Sequence, residues 1–277
     1  MAKYIAAVSG GPDSMAMLYM CRKQIVAVCH VNYQKRASAS RDMLIVERTC
    51  EDLHIPLEKL IVTEDQYKRY YQKNKNFQNV AREIRYDFFI KKANKYRVDG
   101  VLIAHNKDDF LETALIQIKR KSKTLFLGIE KKSKYKNLRV FRPLLNKWKD
   151  ELIVYCTKNN IPYGLDETNE LDIYERNRIR KALNVLTSKE KVDEWKRIQK
   201  FNRDHSNKYA DANKKYSMWK LNSFNIDFYC ALSKSIGEQI IYRFLIENNI
   251  YKISANKIKL IDQFLHAQKT KARLRLG

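Results

Sequence analysis

Short apolar runs alternate with segments of helical periodicity over the first two thirds of the chain. The apolar runs, which predict buried strands, are residues 4–8, 25–30, 57–62 and 101–104. Between them, apolar residues recur three or four positions apart, which predicts amphipathic helices. Strands that alternate with helices pair in parallel. The pattern therefore predicts an α/β fold with a doubly wound, mainly parallel sheet, whose ligands bind beyond the carboxyl ends of the strands.

Three stretches depart from this alternation. Residues 64–75 are polar and rich in lysine, which predicts an exposed loop or helix, and residues 119–136 are basic and are predicted to form a loop. The Lys, Ser and Tyr of that loop suit a solvated surface and phosphate or base contacts equally well. From about residue 187 helical periodicity replaces the strand pattern. We predict a catalytic domain at 1–186, followed by a connecting helix and a small helical domain at 187–277.

Amino-acid composition and charge limit the class of protein and the kind of partner that we expect. The 277 residues include 55 Lys and Arg against 31 Asp and Glu, a net charge of +24. That excess favours a polyanionic partner, RNA or DNA, although heavy use of Lys, Asn, Ile and Tyr throughout would also raise the charge without any function. No apolar stretch approaches the roughly 18 residues of a membrane span, and the N-terminus lacks a secretory signal pattern. We predict a cytoplasmic protein with no membrane partner.

The cysteines exclude some site chemistry. There are five of them, and no two have C-x-x-C spacing. An odd, scattered set predicts neither a disulfide framework nor a zinc or iron–sulfur site.

A glycine turn joins the first predicted strand to the first predicted helix. Its sequence is Ser9-Gly10-Gly11-Pro12-Asp13-Ser14. Glycines let the backbone approach a phosphate closely, and the N–H groups at a helix start point toward it. Neither the dinucleotide pattern G-x-G-x-x-G nor the Gly-Lys-Ser/Thr of a Walker loop is present. The alternative to an anion site is an ordinary glycine-rich turn.

The turn resembles the S-G-G-x-D-S loop of the PP-loop ATP pyrophosphatases, which bind the pyrophosphate of ATP and cleave between its α- and β-phosphates. Further segments resemble one branch of that superfamily, the tRNA(Ile)-lysidine synthetases. They are His30-Val31-Asn32-Tyr33, residues 79–86 (NVAREIRY), residues 103–113 (IAHNKDDFLET), residues 166–169 (DETN) and residues 176–180 (RNRIR). The resemblance covers roughly residues 1–185.

The resemblance implies an ATP-dependent, tRNA-modifying ligase. In that family ATP adenylates the C2 oxygen of the wobble cytidine, position 34, of tRNA(Ile) with a CAU anticodon, and pyrophosphate leaves. The ε-amine of free L-lysine then attacks C2, and AMP departs to give lysidine. Residues 187–277 would bind the tRNA. The sequence leaves the oligomeric state, a homodimer included, open.

The resemblance also implies roles for single residues. The turn at 9–14 would bind ATP together with His30 and Val31, which would line the adenine side through backbone groups. Asp13 and Asp109 would hold a Mg²⁺. The residues expected to be catalytic are Asp109, Glu112, His105, Arg85 and Arg178.

The residue types suit these roles, but each has a structural alternative. Asp109 and Glu112 are three positions apart at a predicted helix start and share a face, so they could bind Mg²⁺ or the lysine ammonium or simply complement the helix dipole. One of the two is the natural general base for the amine, and spacing does not choose between them. Arginine suits phosphate oxygens, with surface ion pairing as the alternative for Arg85 and Arg178. His105 follows a strand and would hydrogen-bond a phosphate or steady the nucleophile. The alternative is a structural histidine, although His105 lies at the predicted ligand edge of the sheet.

Three other functions compete. A tRNA thiolase of the same superfamily would need catalytic or cluster-binding cysteines, and those of this chain are scattered in apolar runs. A small-molecule amide ligase, such as an NAD or GMP synthetase, fits the charge of +24 less well than a tRNA enzyme does. A binding module without catalysis would hold nucleotide but release no pyrophosphate.

Overall fold

A computed structural model describes residues 2–34, 38–71, 77–165, 175–248, 250 and 253–267. The chain forms two compact units that interleave along the sequence. The first comprises residues 1–110 and 130–171, and the second comprises residues 111–129 and 172–277. In the described part of the chain, no helix is both long enough and apolar enough to span a membrane.

The first unit is built on one six-stranded sheet. Its strands are β1 (Tyr4–Ala7), β2 (Ile25–Asn32), β3 (Leu57–Ile61), β4 (Gly100–Ile103), β5 (Lys132–Tyr135) and β6 (Leu138–Phe141). Their order is β3-β2-β1-β4-β6-β5, and all neighbours are parallel except β5, which runs antiparallel to β6. The chain leaves β1 toward β2 and later returns to its other side through β4. That reversal places the turn after β1 at the point where doubly wound sheets bind ligands.

Helices cover both faces of this sheet. They are α1 (Pro12–Cys21), α2 (Ala39–Asp52), α3 (Glu64–Tyr71), α4 (Phe77–Tyr96), the start of α5 (Lys107–Lys119) and α6 (Lys149–Lys158), with a short 3₁₀ helix at Arg22–Gln24. Successive strand residues enter opposite cores, because side chains alternate across a sheet. Ala6 packs with Met15 and Leu152 on one face, whereas Ile5 packs with Phe89 on the other. Burial on both sides explains why β1 reads as a continuous apolar run.

The second unit is helical in its described residues. Besides the later part of α5 it contains α7 (Glu175–Val185), α8 (Ser188–Asp204), α9 (Ser206–Leu221), α10 (Ile226–Cys230), α11 (Lys234–Glu247) and α12 (Ala255–Ala267). A reciprocal capping box starts α8: Thr187 N donates to Glu190 Oε2, and Glu190 N donates to Thr187 Oγ1. Trp219, Tyr229 and Ile240 lie in the core of this unit.

The structure confirms the predicted α/β class and corrects several local predictions. Residues 119–136 are not all loop, because Lys132–Tyr135 forms the edge strand β5. Lysines on an edge strand keep the unpaired edge solvated, and the same lysines made the segment look like a loop. Strand β6 was not predicted at all. Residues 72–75 of the polar stretch and the 166–169 segment lie outside the described residues, and the domain boundary at 186/187 stays a prediction.

Candidate active site

A pocket of about 400 Å³ lies at the carboxyl edge of the sheet in the first unit. It is lined by residues that follow β1, β2 and β4 and by one face of α4. The predicted site residues among them are Ser9, Gly11, Asp13, Ser14, His30, Val31, Arg85 and His105. Gly10 and Pro12 belong to the same turn. The fold therefore brings together residues that are separated by about one hundred positions in sequence.

The glycine turn is closed by its own hydroxyls. Ser9 N donates to Ser14 Oγ at 3.1 Å, and Ser14 Oγ donates to Gly11 O at 2.9 Å. Helix α1 begins at Pro12, whose fixed φ and missing N–H suit a first helical position. The following N–H groups of the first turn have no partner within the helix. The turn thus presents backbone donors and the positive end of a helix dipole at the pocket, an arrangement that binds phosphate.

The two glycines of the turn differ in backbone conformation and in the space available for a Cβ atom. Gly10 has a φ of +92°, and a Cβ there would lie 2.9 Å from the backbone oxygen of Asp42. Gly11 has an ordinary φ of −76°, and a Cβ there would approach Ser9 Oγ no closer than 3.7 Å. Only Gly10 is required by the fold itself, whereas Gly11 leaves room in the pocket.

Alanine substitutions should separate these two roles. We expect Gly10→Ala to lower the free energy of unfolding by about 1–3 kcal/mol, because it combines a left-handed φ with a backbone clash. Gly11→Ala should stay within about 0.5 kcal/mol of wild type and yet weaken ATP binding, since its methyl group occupies pocket space. Urea unfolding and ATP titration of both variants measure this. Equal stability losses would contradict it.

The Oδ1 atom of Asp13 is buried, and a second carboxylate, that of Asp109, lies near. Asp13 Oδ1 has no hydrogen-bond partner among the described residues. Burial, and then the charge of Asp109, raise the pKa of Asp13 to about 6, against the opposing effects of Lys149 and Asn106. Asn106 fixes Asp109 by accepting from its N–H and donating to its Oδ2, at 3.0 and 3.1 Å. The result is a pair of neighbouring carboxylates with an unfilled acceptor.

This carboxylate pair fits a Mg²⁺ that is shared with phosphates. Mg²⁺ in nucleotide sites uses one or two protein carboxylates and completes its shell with phosphate oxygens and water. A group of three or more His, Cys, Asp or Glu side chains able to hold a metal alone is absent from the described residues. The donor set of Asp13 and Asp109 fits a dication that phosphate oxygens also bind.

His30 is a structural histidine. It is buried, and its Nδ1 lies 2.9 Å from the carbonyl oxygen of Val8, to which it donates. Burial lowers its pKa, so the ring is neutral at physiological pH. Its contribution to the pocket is to tie β2 to the end of β1, which leaves the backbone of Val31 along the pocket wall.

His105 has a partner that the sequence analysis missed. Arg142 Nε donates to His105 Nδ1 at 3.0 Å. Arg142 follows β6, which is parallel to β4 in the sheet, so both residues emerge at the same edge. The alternating pattern of residues 138–141 was the available signal, since a parallel strand there would have put residue 142 at the ligand edge.

Glu112 and Arg178 belong to the second unit. Glu112 is only 2% exposed, and its two carboxylate oxygens accept from Arg180 Nε and Nη2 at 2.6 and 3.3 Å. Arg178 is exposed on α7. Arg178 was the residue predicted to be catalytic from the 176–180 run, but it is Arg180 that pairs with Glu112 on α5. Spacing alone could not distinguish the two.

Arg85 is exposed on α4 and lines the pocket of the first unit. One turn earlier, the guanidinium of Arg82 lies 4.6 Å from the ring centroid of Tyr86, within cation–π distance. Two arginine side chains one turn apart on a pocket wall suit an anionic ligand.

The cysteines lack the character of nucleophiles. Burial raises the pKa of Cys29 to about 12 and that of Cys50 and Cys156 to about 11. These three side chains are therefore thiols at neutral pH, and the thiolate is the reactive form. Sulfur chemistry of the thiolase type gains no support from them.

Sequence comparisons find relatives of this chain over almost its whole length. Residues 1–186 match the family model of the PP-loop domain. The chain is 45% identical over 271 residues to a tRNA(Ile)-lysidine synthase of Ureaplasma parvum, covering 98% of this chain and 81% of the relative. It is 38% identical to the tRNA(Ile)-lysidine synthase of Mycoplasma genitalium, over 97% of this chain and 90% of that one.

Among solved structures, a U34-tRNA thiolase of Methanococcus maripaludis matches with a TM-score of 0.59 and 15% identity. The match covers 74% of this chain and 73% of the thiolase. At that identity the likeness concerns the fold alone.

Proposed function

The chain belongs to the tRNA(Ile)-lysidine synthase family, and on that premise we propose how its residues carry out the reaction. The enzyme is an ATP-dependent ligase that converts the wobble cytidine of tRNA(Ile) to lysidine. The pocket of the first unit supports this assignment of residues. It is lined by the glycine turn, and Asp13 of that turn has a buried Oδ1 without a hydrogen-bond partner among the described residues. The reaction has two chemical steps.

In the first step ATP is attacked at its α-phosphorus by the C2 oxygen of cytidine 34. The bond to the β-phosphate breaks, and pyrophosphate leaves. The turn at 9–14 holds the departing phosphates through its backbone N–H groups and the hydroxyls of Ser9 and Ser14. Arg85, from the opposite wall, balances phosphate charge. A Mg²⁺ held by Asp13 and Asp109 would supply further neutralisation of that charge.

In the second step the ε-amine of L-lysine attacks C2. AMP leaves with the former C2 oxygen, and the ammonium must first lose a proton to a base. Asp109 and Glu112, three residues apart on α5, are the carboxylates proposed to attract the ammonium. Both oxygens of Glu112 already accept hydrogen bonds from Arg180, which favours Asp109 as the base. Glu112 then serves to anchor α7, the helix that also carries Arg178.

The tRNA partner is supported by the charge of +24 and by the helical second unit. Lysine and arginine side chains that neutralise tRNA phosphates release the counterions condensed on the RNA, which supplies sequence-independent affinity. Recognition of the CAU anticodon requires further contacts, which we propose belong to the helical residues after 187.

Mass spectrometry of the tRNA product tests the function. After incubation of unmodified tRNA(Ile) with ATP, Mg²⁺ and L-lysine, cytidine 34 should gain the mass of one lysine minus one water, because the C2 oxygen leaves on AMP. Without lysine, pyrophosphate release should stop near one equivalent per tRNA. Pyrophosphate release that leads to a thiolated base, or none at all with tRNA, would contradict the proposal.

A further inference from the structure

The guanidinium of Arg142 is buried and fixed on several sides. The residue is 6% exposed. Its Nε donates to His105 Nδ1 at 3.0 Å, and its Nη1 donates to Glu130 O and to Ser133 Oγ, both at 2.9 Å. Burial lowers the pKa of Arg142, but a guanidinium stays charged in proteins. These three hydrogen bonds hold the guanidinium in one orientation, because it cannot rotate without breaking them.

Arg142 decides which nitrogen of His105 carries the proton. Arginine has donors and no acceptor, so the ring nitrogen that faces it must be an acceptor. Nδ1 of His105 therefore carries no proton, and the ring proton lies on Nε2. Protonation of Nδ1 would set two N–H groups against each other next to a fixed positive charge.

We propose that Arg142 is a positioning residue that holds His105 as the neutral Nε2–H tautomer, so that His105 acts as a hydrogen-bond donor and not as a base. The proposal rests on the proposed function of the pocket, which His105 lines. Because Nδ1 accepts from Arg142, the ring N–H lies on Nε2. The ligand chemistry that suits such a donor is an anionic phosphate oxygen of ATP or of the adenylate, whose charge grows as the bond to the leaving group stretches.

If His105 is a donor, it is not the general base for the lysine ammonium. The unprotonated nitrogen of His105 is Nδ1, and it already accepts a hydrogen bond from Arg142. It cannot take the proton of the lysine ammonium unless that hydrogen bond breaks. This supports the proposal that Asp109 takes the proton.

The tautomer can be read directly in the protein without ligands. Long-range ¹H–¹⁵N correlation spectra of protein labelled at histidine distinguish Nδ1–H from Nε2–H rings. His105 should show a proton on Nε2 only. His30 is an internal control of opposite kind, because its Nδ1 donates to Val8 O and must carry the proton. Signals are assigned by comparing spectra of His105→Gln and of wild type. A wild-type His105 that is an imidazolium at about pH 7.5, or that carries its proton on Nδ1, would overturn the proposal.

Kinetics of matched variants test the consequence. Arg142→Gln should release His105 from the single tautomer and lower kcat about 10- to 100-fold, with a smaller change in the KM for ATP, because the donor is no longer held in place. Arg139→Gln removes an equal charge three positions earlier, on strand β6, at a side chain that is 59% exposed, and should keep wild-type turnover. Equal kcat in the two variants would overturn the proposal.

A second pair of variants works even where Arg142→Gln fails to fold. His105→Gln can place an amide N–H near the position of Nε2, whereas His105→Asn reaches only the position of Nδ1. We expect His105→Gln to retain at least tenfold more turnover than His105→Asn. Equal inactivity would indicate a base and overturn the proposal. Absence of lysidine from the wild-type reaction would instead refute the proposed function, while the tautomer measurement would still stand or fall by itself.

Discussion

Asp13→Asn should abolish tRNA-dependent pyrophosphate release and at the same time make the protein without ligands more stable. The variant keeps the size of the side chain but removes the charge that would hold Mg²⁺ and complement the turn. We expect turnover to fall by at least about 10²-fold, the scale of losing one preorganised electrostatic group in an active site. Pyrophosphate release in the presence of tRNA measures this. Wild-type turnover would remove Asp13 from the site.

The gain in stability follows from the carboxylate pair. The pKa of Asp13 is raised to about 6 by burial and by Asp109, whereas an unfolded aspartate titrates near 4. Between about pH 4 and pH 6 the native state binds more protons than the unfolded state, so stability falls as pH rises through this window and stays lowered above it. Removing the charge should therefore stabilise the protein by about 1–3 kcal/mol at neutral pH.

The pH dependence makes this prediction specific. The advantage of Asp13→Asn over wild type should be full above about pH 6 and should shrink as pH falls toward 4, where wild-type Asp13 is itself neutral. Thermal unfolding at several pH values measures it. Asp150→Asn removes the same charge from an exposed position on α6 and should show no such trend. A constant difference between Asp13→Asn and wild type across the range would contradict the pKa argument.

Arg180→Ala should produce the largest loss of stability. It leaves the carboxylate of Glu112, whose side chain is 3% exposed, buried without its bidentate partner. Breaking a buried pair from one side costs about 3–5 kcal/mol, because the remaining charge is neither solvated nor paired. Such a loss is a large part of the 5–15 kcal/mol that stabilises a typical domain. Urea unfolding, followed by the tryptophan fluorescence of the helical unit, measures the change.

The reverse truncation should cost less. In Glu112→Gln the stranded group is Arg180, whose side chain is 32% exposed and can reach water. A double-mutant cycle of Glu112→Gln with Arg180→Ala should give a coupling of at least about 1 kcal/mol. Arg178→Ala is the matched control for stability, since that side chain is exposed on the same helix. If Arg178→Ala destabilises the protein as much as Arg180→Ala, the ion pair does not hold α7.

Arg178 and Arg180 show that a basic run in the sequence does not tell which of its arginines pairs with a buried carboxylate. Both arginines lie in the 176–180 segment, and either could be expected to contact phosphate. Their positions on α7 differ by about 200° around the helix axis, so one faces Glu112 and the other faces solvent. Which face meets α5 is a property of packing in the second unit and has no local sequence signal.

Strand β6 shows a different limit. Residues 138–141 are too few and follow too many lysines to stand out as a strand, so no role was predicted for Arg142. Once β6 pairs in parallel with β4, Arg142 comes to the edge where His105 emerges. The partner of a predicted catalytic residue was thus hidden by one missed short strand.

Local patterns in the chain determined the doubly wound sheet, the glycine turn at its first carboxyl end and the chemistry expected there, because strand burial, turn geometry and helix starts depend on neighbours in sequence. Tertiary structure alone decided which ionisable groups meet: Asp13 with Asp109, His105 with Arg142, and Glu112 with Arg180. These pairs set proton positions and ionisation, which depend on burial and on distances between residues far apart in the chain. A sequence can list the groups of such a site, but only the folded chain fixes their protonation.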